Sequence, residues 1–555
     1  MSLASQLRAL GGKGNLAPHP LDRALARVRR PLDRAFERHA LALDELAALS
    51  ADVRAHVVAR NGAAGPRVVV ASLRGWSSHN ACELLIAHAL RLRGAEVALL
   101  TCGGGMPACE LGWARRAYPR PCDRCAWLTG QISDVAGLEH FSLADLMPWG
   151  ADARSAPAVA RGERIVEPRE ASAVSVAWLL KATQLDRVPG AQEVAADFAV
   201  AAEGVEHASE ELIKRFEPDI VFLLNGLFGA ERVIREVARA HGARTPTYEI
   251  APRAGALVLS QDSAAPDYDV EELWAGVRDR PLSEPQRSEV MALLTDRAAG
   301  RGAHESYYVR AEDDPAELRR ALGLADAARV LSLFTNVTWD SATIGHDIGF
   351  SSMFDWVEQA VRLARGSDLA LVVRVHPAES RWGTREEVQE VMVSRLGEIP
   401  ANVRFVSAET ALSSYALMDI SDLLLTYTTT VGLEAATRGK QVAVAGDTHY
   451  RGRGFTTDLA GAADLERFMA SPAAPLPADS VELAIRYAHM FFFRAMIPFP
   501  VMAASDGKVR RFPRTAAEVA PGADPYLDWI CERILDGGHF GLPDELAGVP
   551  GAHAS

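Results

Sequence analysis

The 555-residue chain contains no apolar run long enough to cross a bilayer. Its longest candidate, Met490 to Ala504, is interrupted by Arg494, Pro498 and Pro500. No stripe of Lys and Arg interleaved with aromatics is present, and the formal net charge is -13. Nucleic acid is therefore not an expected partner. The first residues lack the charged-then-apolar pattern of a secretory leader, so a cytoplasmic address is expected. No internal repeat of short fixed period is visible either.

What is present is a soluble globular composition, 48% hydrophobic and 24% charged. The length exceeds one ordinary core and predicts two domains with extensions. Met1 to His39 is Arg-rich and broken by Gly and Pro. It is read as a solvated helical extension, with a peripheral contact to anionic lipid as the alternative.

From Arg67 strands and helices alternate. RVVVAS at Arg67–Ser72 precedes a helical stretch ending at Gly94, and EVALLT at Glu96–Thr101 follows, as in a βαβ unit. PDIVFLL at Pro218–Leu224 is a further strand, ending in Asn225-Gly226. Leu138 to Ala208 gives no regular pattern, and Asp262–Tyr307 is polar enough to hold a helix and an interdomain linker. A second series starts at Arg329, with strands at Val330–Phe334, Leu369–Val375, Val403–Val406, Leu423–Tyr427 and Gln441–Ala445. Two such series predict an α/β protein with two Rossmann-like domains facing across a cleft. Ligands then sit at the carboxyl ends of the strands. The expected division is a helical extension (1–60), an N-terminal Rossmann-like domain with a Cys-rich insertion (61–300), a C-terminal Rossmann-like domain (301–475) and a helical tail (476–555). In that tail Phe491, Phe492 and Phe493 are expected as a buried anchor.

The strand ends carry the chemistry. His376-Pro377 closes LVVRVHP, where His376 can donate to a phosphate oxygen, and Arg374 shares the strand face. Thr428, Thr429 and Thr430 open a helix, a ready anion site, and Gly432 permits close approach of a ligand. Glu434, on the first turn, either takes a sugar or ribose hydroxyl or only favours the helix start. Asp340 lies just past a strand end, facing the cleft, and is a catalytic candidate; Asp447, Tyr450, Arg451 and Arg453 crowd another, where they could bind the donor sugar or an acidic donor group. His79, with Glu83 one turn later, is either a general base or a polar helix cap.

The segments RVHPAE, SDLLLTYTTTVGLEAATRGKQVAVAG and DTHYRGRGFT resemble the C-terminal domain of capsular polysaccharide synthesis-type glycosyltransferases. That group has a GT-B fold and includes enzymes that transfer Kdo from CMP-Kdo. The His-Pro pair and the Thr-rich helix start are also similar to those of bacterial GT-B sialyltransferases. The resemblance implies that His376, Thr429 and Thr430 contact donor phosphates. It likewise places Asn225, Glu231 and Glu249 on the acceptor side. The acidic base motif of those sialyltransferases is missing at the equivalent place. The reading is a glycosyltransferase moving a sugar from a nucleotide-activated donor, CMP-linked and acidic by resemblance, to a hydroxyl acceptor on a glycan or other molecule. Catalysis would require no cofactor. A nucleotide-sugar epimerase of the UDP-GlcNAc 2-epimerase type and a catalytically silent nucleotide-sugar-binding subunit are the alternatives.

Cysteine is scarce, six in all, yet four fall together as Cys102, Cys109, Cys122 and Cys125. Four thiolates suit a structural zinc ion or an iron–sulfur cluster, although the spacing matches no standard finger. Free buried thiols are the competing reading.

Overall fold

A computed structural model describes residues 38–58, 65–113, 121–150, 164–301, 314–324 and 329–547. Most of the basic N-terminal arm and Asp313 lie outside these residues. Among the described residues, no helix is long and apolar enough to cross a membrane.

The first series forms a seven-stranded sheet. Its order is Met496–Pro498, Ala256–Ser260, Thr247–Ile250, Ile220–Leu224, Arg67–Ala71, Glu96–Thr101, Glu139–Ser142. The five strands from Thr247–Ile250 to Glu139–Ser142 pair in parallel, whereas Ala256–Ser260 and Met496–Pro498 are antiparallel additions. Val68, Val69 and Val70 are all buried. That is why the strand reads as an unbroken apolar run: helices cover both faces of the sheet.

The second series gives a six-stranded, wholly parallel sheet. Its order is Val403–Val406, Leu369–Arg374, Arg329–Phe334, Leu423–Thr426, Gln441–Val444, Thr457–Asp458. Numbered along the chain this is 3-2-1-4-5-6, the doubly wound order. Its topological switch point lies between Arg329–Phe334 and Leu423–Thr426. The first sheet has the same 3-2-1-4-5 core. Its switch point lies between Arg67–Ala71 and Ile220–Leu224. The expected two-domain α/β architecture is therefore present.

Three features depart from the sequence reading. The irregular region contains a 26-residue helix, Ala191–Phe216. Its internal Gly204 interrupts the pattern because the Trp149 ring packs where a Cβ would stand, at 2.4 Å. The polar linker holds two helices, Glu271–Val277 and Glu284–Ala298, the second started by a Ser283/Gln286 capping box. The tail is not only helical. Helix Ala478–His489 packs on the C-terminal domain, and a π-helical turn, Met490–Ala495, follows it. The chain then crosses back as strand Met496–Pro498 into the N-terminal sheet. Phe491, Phe492 and Phe493 are buried at this crossing, as expected.

Candidate active site

The two switch points face each other across a cavity of about 610 Å3. Its N-terminal wall includes His79, Phe228 and Glu249, and its C-terminal wall Asn336, Asp340 and His376.

On the C-terminal side, the chain leaves strand Leu369–Arg374 at His376. The His376 backbone N–H donates to Thr335 Oγ1 at 3.0 Å, and the ring Nδ1 accepts from the Ala378 N–H at 3.1 Å. Nδ1 is thus an acceptor, so the neutral ring carries its proton on Nε2. Burial, with Arg374 nearby, lowers the His376 pKa to about 4, which keeps the imidazole neutral. Asn336, two residues past the first strand, accepts the Thr428 N–H on its Oδ1 at 3.1 Å across the switch point. The Thr428 hydroxyl is buried without a hydrogen-bond partner. Asn336 was not singled out from sequence, although the switch-point rule would have found it.

Several residues expected at the donor side are engaged with other parts of the protein. Arg374 donates to the carbonyls of Ser407, Thr410 and Leu412 and so ties down the 407–412 loop. Glu434 accepts from Arg297 at 2.9 and 3.2 Å and from the Tyr415 hydroxyl, which fastens the linker helix to the domain. Tyr450 is fully buried and donates to the Thr429 carbonyl at 2.7 Å. Gly432 makes room for that phenol: a Cβ would lie 2.3 Å from the Tyr450 oxygen. Arg451 staples Val444 to Leu459 through their carbonyls. Asp447 is exposed and does not line the cavity.

On the N-terminal side, carboxylates predominate. Glu249, at the end of strand Thr247–Ile250, lines the cavity. It accepts from its neighbour Ile250 N–H at 2.8 Å and from Asn225 Nδ2 at 3.4 Å. Burial raises its pKa to about 7. Asn225 otherwise caps its own loop, accepting the N–H groups of Leu227 and Phe228. Glu231 is buried against Arg74, which also binds Glu110 at 2.6 Å, so Glu231 faces this network and not the cavity. His79 lies in the first turn of helix Ser77–Leu92, whose N-cap, Trp76, makes no side-chain cap bond. The Tyr248 hydroxyl, which donates to Glu83 at 2.8 Å, is 3.4 Å from His79 Nδ1. Burial raises Glu83 to about 8.

One contact was invisible in the sequence. The Lys181 ammonium lies over the rings of Trp178, at 3.5 Å, and Trp339, at 3.8 Å, one from each domain. Burial lowers its pKa to about 8, against the opposing pull of Asp340. Beside it, the N–H groups of Thr183 and Gln184 donate to Glu386 at 2.8 and 2.6 Å, and the Arg385 N–H donates to the Lys181 carbonyl. Together these bonds clasp the two domains at one side of the cleft.

The four clustered cysteines lie within electrostatic reach of one another. Cys102 sulfur receives the N–H groups of Gly104, Gly105 and Met106, and Cys125 that of Gly75 at 3.1 Å. Burial raises the thiol pKa of Cys102, Cys109 and Cys125, the last to about 12. Among the described residues, no group of three or more His, Cys, Asp or Glu is arranged to hold a metal ion.

Two doubly wound domains, with a cavity between their switch points, make a GT-B-like architecture. Residues 320–480 match the model of the family described as capsule polysaccharide biosynthesis protein. Among solved structures, the KpsC β-Kdo 2,7-transferase of Thermosulfurimonas dismutans is 15% identical. That match covers 54% of this chain and 84% of its own, with a TM-score of 0.33. The Methanocaldococcus jannaschii UDP-GlcNAc 2-epimerase, in complex with UDP-GlcNAc and UDP, is 10% identical. It covers 77% of this chain and 99% of its own, with a TM-score of 0.27. At such scores neither structure decides between the two activities. No curated protein sequence matches the chain.

Proposed function

We propose that this protein transfers a sugar from a nucleotide-activated donor to a hydroxyl acceptor in capsule or related surface polysaccharide assembly. The observation that carries the reading is the placement of a neutral, Nε2-protonated His376 and a half-buried Glu249 on opposite walls of one cavity. The His376 Nε2–H and the Asn336 amide, which line the cavity, meet charge building on the departing nucleotide phosphate, with the Thr428 loop behind them. Glu249, with its pKa near neutrality, is the general base that takes the acceptor proton. His79 lies beside it and orients the acceptor. A CMP-linked acidic sugar is the donor that the His-Pro and Thr-rich motifs suggest. The nucleotide ties the reaction to the cytoplasm, where a contact between the basic Met1 to His39 arm and anionic lipid would bring the enzyme to its acceptor.

A thermal-shift panel of CMP, CDP, UDP, GDP and dTDP tests the donor half. One nucleotide should raise Tm selectively, by the linkage of ligand binding to stability. No shift with any of them would sink the proposal. Incubation with the matching nucleotide sugar and no acceptor should yield no epimer; an epimer would assign the chain to the epimerases instead.

A further inference from the structure

Away from the cleft, a second pocket of about 230 Å3 lies where helix Ala478–His489 meets the π-helical turn and the end of the chain. It shares no lining residue with the cleft. Arg280, Arg486, His489 and Arg494 line it, with Asp544 as the only lining carboxylate. His489 is 3% exposed and Arg494 8%. Among the described residues, His489 Nε2 and Arg486 Nε are buried with no hydrogen-bond partner. Unmet buried donors cost stability and normally have an occupant or a function.

The charges do not balance. Asp544 bridges Arg280, at 3.1 Å to both nitrogens, and Arg494 at 3.0 Å. Glu482 stands 3.9 Å from Arg486 but also binds Arg287, and Glu545 acts on Arg494 only at longer range. Two guanidiniums, of Arg280 and Arg494, thus hold one half-exposed carboxylate, and Arg486, which donates to the Arg278 carbonyl, lines the same pocket. Burial and Arg494 hold His489 near pKa 4, so the ring adds a neutral N–H donor. A planar carboxylate uses two directions of such a ring of donors. A tetrahedral oxyanion with several acceptor oxygens uses more of them.

We propose that this pocket is a binding site for a phosphoryl group, distinct from the catalytic cleft, in which Asp544 holds the place of the absent anion. Binding displaces the carboxylate and supplies acceptors to His489 Nε2 and the Arg486 and Arg494 forks. The site is independent of the reading given to the cleft. The phosphoryl group belongs either to a small soluble phosphate or to a lipid headgroup, and the chemistry is the same for both.

Calorimetric titration with inorganic pyrophosphate at low salt, on the full chain carrying His376→Ala to disable the cleft, tests it. Arg280→Ala and His489→Asn should each weaken binding by at least about tenfold. Asp544→Asn should tighten it severalfold, because a competing charge is gone. Arg280 and Asp544 side chains are 55% and 54% exposed, so these two variants retain the fold. Pyrophosphate binding that all three variants leave unchanged would refute the site. If pyrophosphate does not bind, sedimentation with phosphatidylcholine vesicles, with and without phosphatidate, is the second arm. Phosphatidate-dependent binding lost in Arg280→Ala assigns the site to a headgroup; failure of both probes overturns it.

Discussion

The two sheets share a strand order, yet they finish their strands differently. The C-terminal sheet ends in neutral donors: the His376 imidazole, the Asn336 amide and the Thr428 hydroxyl. The N-terminal sheet ends among carboxyls with raised pKa values, the buried Glu83 and Glu231 and the half-buried Glu249. Neutral donors stabilise a developing anion without losing a proton to it. Buried acids with raised pKa values do the opposite work and accept a proton near neutral pH. In the proposed reaction, one architecture thus carries leaving-group chemistry on one wall and proton chemistry on the other.

The largest effect expected of this division is on His376. His376→Ala should lower kcat by about 1000-fold with Tm nearly unchanged, because an electrostatic donor is lost. Full activity would show that the neutral wall is not the one that meets the phosphate. Glu249→Gln should lower kcat by about 100-fold and abolish the rise of kcat/KM through about pH 7. If His79→Ala removes that rise while Glu249→Gln leaves it, the base is the histidine. Arg74→Met should destabilise by about 3–5 kcal/mol, since it leaves Glu110 and Glu231 buried and uncompensated. Urea denaturation measures this, and a loss below about 1 kcal/mol would mean that water reaches the pair.

The last effect concerns Glu83. Its folded pKa, about 8, lies above the ordinary carboxylate value of 4.5. The folded state therefore keeps a proton that the unfolded state releases, and stability falls as pH rises from about 4.5 to 8. Glu83→Gln cannot ionise. Its stability relative to the parent should therefore improve across that window, and parallel pH profiles would contradict the burial of the acid.

The sequence made the second sheet legible because buried parallel strands are apolar throughout. It hid Glu139–Ser142, whose four residues form a half-exposed edge, and Ala191–Phe216, where Gly204 serves the Trp149 ring. At the site, proximity to a strand end was readable but prior engagement was not. Arg374, Glu434 and Tyr450 stand where a donor ligand should, yet their partners are carbonyls, Arg297 and the Thr429 backbone. Lys181 gave no signal, since its two indoles come from segments more than a hundred residues apart.

The return of the chain as strand Met496–Pro498 gives the molecule two covalent straps between its halves, the linker and this crossing. The Lys181 contacts join the same two halves at the cleft. A cut at residue 300 would not release a self-sufficient N-terminal half, because the edge strand of its sheet would leave with the other piece.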